Sequence, residues 1–399
     1  MKLNRFLELK RGRINKDLLA EILFMLAVTL LAVWLRISLL DYKSGDYFAY
    51  TKTWFIAIQT QGIAALKSDF SNYTPPYLYL LYLMARFFPG LTNVVAIKIP
   101  SILADFVCAG FIYRIVQIKN PKMALFAYAA VLFAPTVFIN GSFWGQADSI
   151  FTTALIACIY FLLKQKNSLA FLSFGIAFAF KLQAIFLMPF LIGLLLKRTV
   201  SWRHFLLIPS VYFISIVPAW IIGRPLNDLL SIYLSQSEQY GRLTKHAPTF
   251  YSWLPDPDLF MFFFPAGLAI ASGVILLYLI SIYKSSAKIT SHRLIGLALL
   301  SLLITPFFLP KMHDRYFFPA DVLSIAFGFY VPGYFFVPVM INMISFFAYQ
   351  PFLFGRDVLP MPILAMLLAV TIILLIRKIA SPDSSLLIGE TDPGDNKDI

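Results

Sequence analysis

The chain has 399 residues, of which 59% are hydrophobic and 13% are charged. This balance is typical of proteins that lie in lipid, and it excludes a chain of ordinary soluble domains. The formal charge of +13 would suit a nucleic-acid-binding protein, but the Lys and Arg residues lie in short clusters between apolar runs, where they act as topology signals. We therefore predict an all-α polytopic membrane protein with no nucleic-acid partner.

Long apolar runs recur along the whole chain and indicate transmembrane helices. A bilayer core of about 30 Å takes about 20 helical residues to cross. The runs are apolar on every face, whereas the strands of a membrane barrel would alternate. We predict about 12 transmembrane helices. The predicted spans are 17–40, 97–117, 123–139, 148–164, 168–180, 183–196, 205–223, 261–283, 293–309, 317–330, 335–350 and 361–377.

The distribution of basic residues predicts the orientation of these helices. A basic cluster precedes the first span, which places the N-terminus in the cytoplasm, and the later basic clusters then fall on the cytoplasmic side as well. We predict one transmembrane domain, 1–380, in the plasma membrane, and a disordered cytoplasmic tail, 381–399, because the end of the chain is polar and acidic.

On this topology the first long loop, 41–96, lies on the outer face. Within it, Tyr47 to Leu66 has the pattern of a helix that lies in the membrane interface. Pro76 to Phe88 is a short apolar stretch that would reverse the orientation of everything downstream if it spanned the bilayer. We predict that it is a juxtamembrane helix on the outer face.

Four polar clusters fall on the predicted outer side or just below it. They are SGDY at Ser44 to Tyr47, FWGQAD at Phe143 to Asp148, FKLQ at Phe180 to Gln183, and PKMHDRY at Pro310 to Tyr316. Charged groups at membrane depth are costly unless they are paired or face a wet cavity. Clusters from four distant parts of the chain on one side therefore predict a shared cavity.

Each polar residue also has an ordinary structural interpretation. The alternatives are helix capping for Asp46 and Asp148, snorkelling for Lys181, an interfacial position for His313, and pairing with Asp314 or Asp321 for Arg315. They stay open for any one residue. The joint occurrence of these residues nevertheless favours a site.

Six segments in chain order resemble a known superfamily. They are SGDYFAYTKTW, NYTPPYLYL, KIPSILADF, FWGQADSIF, AFKLQAIFLMPF and LPKMHDRYFFPA. Together they resemble the GT-C membrane glycosyltransferases, particularly the bacterial mannosyltransferase-like members, over about Asp41 to Ala320. The resemblance implies an inverting enzyme that takes a single sugar, mannose or another hexose, from a polyprenyl phosphate. Its acceptor would be a lipid-linked or membrane-associated glycan or glycolipid on the non-cytoplasmic face.

The resemblance implies that Asp46 is the catalytic base. Oligosaccharyltransferase-like members use a metal and a two-acid D-x-D element in the same loop, whereas this chain has Gly45, Asp46 and Tyr47. We therefore expect no metal site, no cofactor and a metal-independent reaction. The chemistry needs one carboxylate to take the proton of the acceptor hydroxyl, and cations to hold the charge of the departing phosphate.

Cations and polar side chains of the four clusters are candidates for the remaining roles. The donor phosphate candidates are His313, Arg315, Lys311 and Lys181, and the sugar-binding candidates are Trp144, Gln146, Asp148 and Gln183. Thr244 to Trp253 is the candidate acceptor region, on position alone. A lipid-linked saccharide flippase or a polysaccharide ligase is the alternative function, because either would also bind a lipid phosphate.

Overall fold

The protein is almost entirely helical in a computed structural model that describes residues 16–238, 241–254 and 260–381. The predicted disordered tail lies outside these residues except for Ser381. The helices are α1 (Lys16–Ile37), α2 (Lys52–Gln61), α3 (Pro75–Phe87), α4 (Asn93–Lys119), α5 (Ala124–Phe133), α6 (Pro135–Phe138), α7 (Asp148–Leu163), α8 (Asn167–Phe180), α9 (Met188–Leu196), α10 (Leu207–Ile222), α11 (Leu226–Glu238), α12 (Phe260–Lys284), α13 (Ser291–Phe308), α14 (Phe318–Tyr330), α15 (Phe336–Phe354) and α16 (Met361–Ala380). Strands β1 (Thr244–Lys245) and β2 (Met312–His313) pair in parallel.

Seven helices of the described residues are long and apolar enough to cross a membrane. They are Leu18–Ile37, Asn93–Lys119, Trp202–Ile222, Phe262–Lys284, Ser291–Phe308, Pro332–Phe354 and Met361–Ala380. The bent pair Pro121–Phe133 and Pro135–Trp144 makes an eighth if it is one span. The protein is thus an all-α membrane protein, but the predicted number of 12 spans is not confirmed.

The four remaining predicted spans are helical but short, and one of them, 183–196, corresponds to the apolar helical segment Leu182–Leu196. Helices α7, α8 and α14 have 16, 14 and 13 residues, and at 1.5 Å per residue they are roughly 20–24 Å long, less than a bilayer core. Each begins or ends beside a polar cluster: α7 starts at Asp148, α8 stops before Lys181, and α14 starts just after Arg315. The predicted bounds of these helices, 148–164, 168–180 and 317–330, agree with the structure to within one residue, so the count was too high because helices of this length were taken as spans.

A bend between helices α5 and α6 determines the position of the FWGQAD cluster. Pro135 has no backbone N–H, and Ala134 before it is extended, with φ −61° and ψ 123°, so α5 ends there and the two segments meet at 47°. A π-helical turn, Ile139–Trp144, follows and ends at Gly145 in the left-handed conformation. The turn brings Trp144 and Gln146, both buried, to the end of the bundle that carries the other clusters.

The first long loop folds into helical layers on the same end of the bundle. Helices α2 and α3 bury Phe55, Leu78 and Leu81 against Ile97 of α4. Helix α3 has 13 residues and is about 20 Å long, too short to cross a bilayer on its own. The predicted juxtamembrane helices are therefore present as helices, and α3 is not among the candidate spans.

At the opposite end of the bundle, basic side chains donate hydrogen bonds to backbone carbonyl groups. The Lys119 Nζ atom donates to the Tyr330 carbonyl oxygen at 2.9 Å, and Lys197 donates to the Ser285 carbonyl oxygen. Lys119 ends α4, which at 27 residues is about 40 Å long, so this end is remote from the polar clusters at the start of α4.

Candidate active site

Residues from all four polar clusters meet around Arg315. Its Nη1 atom lies 3.9 Å from Oδ2 of Asp46, and its Nε atom lies 3.6 Å from Oδ2 of Asp148. Lys181 forms an ion pair with the other oxygen of Asp148. The structure thus brings together Asp46, Asp148, Lys181 and Arg315, which the sequence places as much as 269 positions apart, counting from Asp46 to Arg315 (315 − 46).

The Asp46 carboxylate is held by two side chains of the FWGQAD cluster. Its Oδ2 atom accepts hydrogen bonds from Trp144 Nε1 at 2.9 Å and from Gln146 Nε2 at 2.5 Å. Ser44 secures the loop, because its Oγ donates to the Trp144 carbonyl oxygen at 2.8 Å. Asp46 makes no side-chain capping bond to the helical turn that follows it in the described structure, so the capping alternative is wrong.

Gly145 allows its two neighbours to reach the same carboxylate. It has φ +82°, a left-handed conformation that side chains with a Cβ disfavour by roughly 1–2 kcal/mol. A Cβ there would also lie 3.4 Å from Cγ of Lys98. The cluster's glycine is therefore a backbone requirement for the pair of donors to Asp46.

Trp144 is buried between an aromatic ring and a cation. Its ring stacks on Phe352 at 5.0 Å, and the Arg315 guanidinium carbon lies 5.6 Å from the ring centroid. The structure therefore gives Trp144 and Gln146 contacts with Asp46 in addition to the sugar contacts predicted for them. Gln146 also lines the cavity beside Asp46, and sugar binding stays a prediction for both residues.

Asp148 is a buried counter-ion. One of its oxygens pairs with Lys181, and the other accepts from Asn140 Nδ2 at 2.9 Å. Burial has the largest single effect and lowers the pKa of Lys181, but the charge and hydrogen bond of Asp148, together with Tyr73, raise that pKa, and the net shift is upward. Lys181 is therefore a charged, buried ammonium group, and the snorkelling alternative is wrong.

His313 and Lys245 meet through the two short strands. Lys245 of β1 is the register partner of His313 of β2. Burial lowers the pKa of His313 strongly, and the charges of Arg315, Lys245 and Lys181 lower that pKa further, so the imidazole is neutral. Its predicted phosphate contact would therefore be a hydrogen bond from a neutral ring. Lys245, a cation that the sequence analysis did not single out, lines the same cavity.

Asp314 is a third carboxyl group beside Arg315. Its Oδ1 atom accepts from the Arg315 backbone N–H at 2.8 Å and lies 4.0 Å from Nη1. Burial raises the pKa of Asp314 to about 7, against the lowering effect of Arg315, and Asp46 and Asp148 add to the rise. The alternative partner, Asp321, instead accepts from Ser345 Oγ at 2.7 Å.

Two cavities adjoin Arg315. The first, here the base cavity, is lined by Asp46, Tyr50, Thr51, Trp54, Asn72, Tyr73, Gln146, Lys245, His313, Asp314, Arg315 and Phe352. The second, here the apolar cavity, has a volume of about 470 Å³ and shares Asn72, Tyr73 and Arg315 with the first. Its polar lining includes Lys181, Gln183 and Lys311, and the rest is mainly apolar and aromatic.

The apolar cavity has the features that an amphiphile with an anionic head requires. Lys181, Lys311 and Arg315 offer positive charge, while Phe186 and Leu268 offer apolar surface. The Oε1 atom of Gln183 is buried without a hydrogen-bond partner in the described part of the chain. A buried acceptor of this kind can take a hydrogen bond from a ligand hydroxyl. An anionic group bound to Arg315 would lie close to Asp46, because the two side chains are 3.9 Å apart.

No group of three or more His, Cys, Asp or Glu residues that could hold a metal ion occurs in the ranges that the structure describes. The carboxylates nearest one another around Arg315 are engaged with cations and side-chain donors. Metal independence stays a prediction.

Comparison with known proteins supports the resemblance inferred from the motifs. Residues 72–222 match the dolichyl-phosphate-mannose-protein mannosyltransferase family. The matched part contains the FWGQAD and FKLQ clusters, whereas Asp46 and the PKMHDRY cluster lie outside it. The predicted likeness to GT-C glycosyltransferases is confirmed for this segment. No curated protein matches the chain.

Proposed function

We propose that the protein is an inverting glycosyltransferase that moves one sugar, mannose or another hexose, from a polyprenyl phosphate to a glycan or glycolipid acceptor. The observation that carries the proposal is the contact between Asp46 and Arg315, at 3.9 Å, at the point where the base cavity meets the apolar cavity. Asp46, the proposed base, therefore lies beside Arg315, the proposed phosphate-binding cation. The family match to a mannosyltransferase supports mannose as the sugar.

The donor would bind across the two cavities. Its polyprenyl chain would lie on the apolar surface, and its phosphate would contact Arg315, Lys181 and Lys311. Arginine suits this role because its planar guanidinium donates two parallel hydrogen bonds to a phosphate. The sugar would then project toward the base cavity, where Gln146 can bond its hydroxyls, while Gln183 can bond a hydroxyl from the side of the apolar cavity.

The reaction would be a single displacement. Asp46 takes the proton of the acceptor hydroxyl, the hydroxyl oxygen forms a bond to the anomeric carbon, and the bond from that carbon to the phosphate oxygen breaks. The electron pair leaves with polyprenyl phosphate, whose growing negative charge Arg315 and Lys181 stabilise. Because phosphate is a good leaving group, no general acid is required. Attack opposite to the departing phosphate inverts the anomeric carbon.

The hydrogen bonds to Asp46 would set the orientation of the base. Trp144 and Gln146 both donate to Oδ2, and Arg315 approaches the same atom. Oδ1 is outside these contacts and is the oxygen that we assign to the acceptor proton. Asp148 would act as the counter-ion that keeps Lys181 and Arg315 in place.

We propose that the site faces the non-cytoplasmic side of the plasma membrane, with both termini in the cytoplasm. The support is the separation of charges along the bundle, since Lys119, Lys197 and Lys378 contact main-chain or aromatic groups at the end remote from Asp46. Cytoplasmic ends of membrane helices are enriched in Lys and Arg.

The test is loss of sugar from a defined donor. Full-length protein in nanodiscs is incubated with radiolabelled polyprenyl-phosphate mannose, or with the matched glucose compound, together with a mannoside acceptor, in the presence and in the absence of excess EDTA. We expect label to move from donor to acceptor with inverted configuration, and the Asp46→Asn variant to be the inactive control. A flippase would leave the donor intact, and a polysaccharide ligase would ignore a monophosphate sugar, so either result would overturn the proposal. Loss of turnover with EDTA alone would overturn metal independence.

A further inference from the structure

A third cavity, here the polar cleft, opens between the first long loop and α11. It has a volume of about 400 Å³. Its lining consists of hydroxyl, carboxyl, amide and aromatic side chains with a few apolar ones: Tyr50, Trp54, Asp69, Phe70, Ser71, Asn72, Asp228, Ser231, Ile232, Ser235 and Gln236. The roles proposed above for the base and apolar cavities do not use it.

The polar cleft is continuous with the base cavity. Tyr50, Trp54 and Asn72 line both, so a ligand in the cleft has its inner end near Asp46. Gln236 fixes the position of α11, because its side-chain amide donates to the Asn72 carbonyl oxygen. The cleft shares Asn72 and Gln236 with the apolar cavity, but its other lining residues are different.

The charged residues that line the polar cleft and those that line the apolar cavity have opposite signs. Among the lining residues that the structure describes, the polar cleft has two carboxylates and no Lys or Arg, whereas the apolar cavity has Lys181, Lys311 and Arg315. Asp69 pairs with buried Arg224, yet 70% of the Asp69 side chain remains exposed. Asp228 is exposed in the first turn of α11. An anionic ligand is therefore attracted to the apolar cavity and repelled from the cleft.

The chemistry of the lining identifies the kind of ligand. Carboxylates accept hydrogen bonds, and hydroxyl groups both donate and accept them, as a molecule dense in hydroxyls requires. Trp54 and Tyr50 add amphipathic aromatic surface. We infer that the polar cleft binds the acceptor and that this acceptor is an uncharged, hydroxyl-rich saccharide. This inference rests on the proposed function, and it moves the acceptor region away from Thr244 to Trp253.

The first experiment measures the charge preference of the acceptor. Octyl glucoside and octyl glucuronide, which differ only in the charged carboxylate at C6, are offered with labelled polyprenyl-phosphate mannose, and transfer to acceptor is recorded beside transfer to water. We expect the neutral acceptor to be preferred by about tenfold or more, the scale of one charge-assisted contact. Asp228→Arg should reduce that preference by about tenfold and leave transfer to water unchanged.

Asn227→Arg is the matched control, because it adds the same cation one residue earlier on α11, at an exposed position outside the cleft lining. It should leave the preference unchanged. An unchanged preference in Asp228→Arg, with normal transfer to water, would overturn the acceptor site and leave the proposed function standing. Absence of sugar loss from the donor under every condition would overturn the proposed function itself.

A binding measurement tests the cleft without any chemistry. Saturation-transfer NMR with methyl mannoside should show contact with the wild-type protein and a clear loss of contact in Ser235→Trp, whose ring would fill the cleft. Leu234→Trp adds the same bulk at a residue that is 68% exposed and outside the lining, so it should behave as wild type. Equal contact in both variants would overturn the inference.

Discussion

The Nη1 atom of Arg315 lies 3.9 Å from Oδ2 of Asp46, so one guanidinium group touches both the base and the space where a donor phosphate would bind. This contact couples the two halves of the site. Substitution of Asp46 should mainly lower the rate of the chemical step, whereas substitution of Arg315 should mainly weaken donor binding.

Asp46→Asn should abolish chemistry and spare donor binding. The amide retains the shape of the carboxylate but cannot accept the acceptor proton, so kcat should fall by about 10²-fold or more. The measurement is the single-turnover rate beside the donor Kd. Near-normal single-turnover chemistry would remove Asp46 from the role of base. Glu21→Gln, at an exposed carboxylate in the first half of α1, is the control.

Arg315→Ala should weaken donor binding by roughly 10- to 150-fold, the range for a hydrogen bond to a charged group. It should also lower kcat, because the same cation stabilises the leaving group. Arg315→Lys keeps the charge without the planar fork and should recover part of the affinity. Donor Kd and single-turnover rate are again the readouts. An unchanged donor Kd in the alanine variant would place the phosphate elsewhere.

Gly145→Ala should lower kcat through the position of the base. A Cβ at φ +82° is strained and contacts Lys98, so Trp144 and Gln146 should lose their alignment on Asp46 and the rate should fall by about tenfold. Gly355→Ala is the matched control, since Gly355 also has a positive φ, +63°, but a Cβ there would meet no atom of the described residues within 4 Å. Equal kinetic effects in both variants would contradict the assigned role.

Donor binding should weaken as pH rises through about 7. The pKa of Asp314 is raised from 3.8 to about 7 by burial, so the carboxyl is neutral below that pH and adds a negative charge beside Arg315 above it. A phosphodiester keeps one charge over this range, so the change comes from the protein. We expect the donor Kd to rise by up to about tenfold between pH 6 and 8. Asp314→Asn should remove this dependence; a dependence that persists in the variant would assign it to another group.

Cysteine labelling should place the first long loop outside. Both native cysteines are buried, which keeps background labelling low. Ser68→Cys and Ser286→Cys are exposed positions at the two ends of the bundle. In intact cells an impermeant thiol reagent should label Ser68→Cys and spare Ser286→Cys. The reverse pattern would place Asp46 on the cytoplasmic side.

The sequence by itself determined the helices and the polar clusters. The predicted segments 148–164 and 361–377 correspond to Asp148–Leu163 and Met361–Ala380, because long apolar runs fix helices through local composition. It also predicted which residues could form a site, because charged groups are costly in lipid and stand out in apolar surroundings.

Only the tertiary structure decided which of these residues act on one another. Trp144 bonds Asp46 across 98 residues, and Lys245 meets His313 through a two-residue strand pair that no local pattern predicts. The neutral ring of His313 and the raised pKa of Asp314 follow from burial and from neighbouring charges, which exist only once distant segments have packed together.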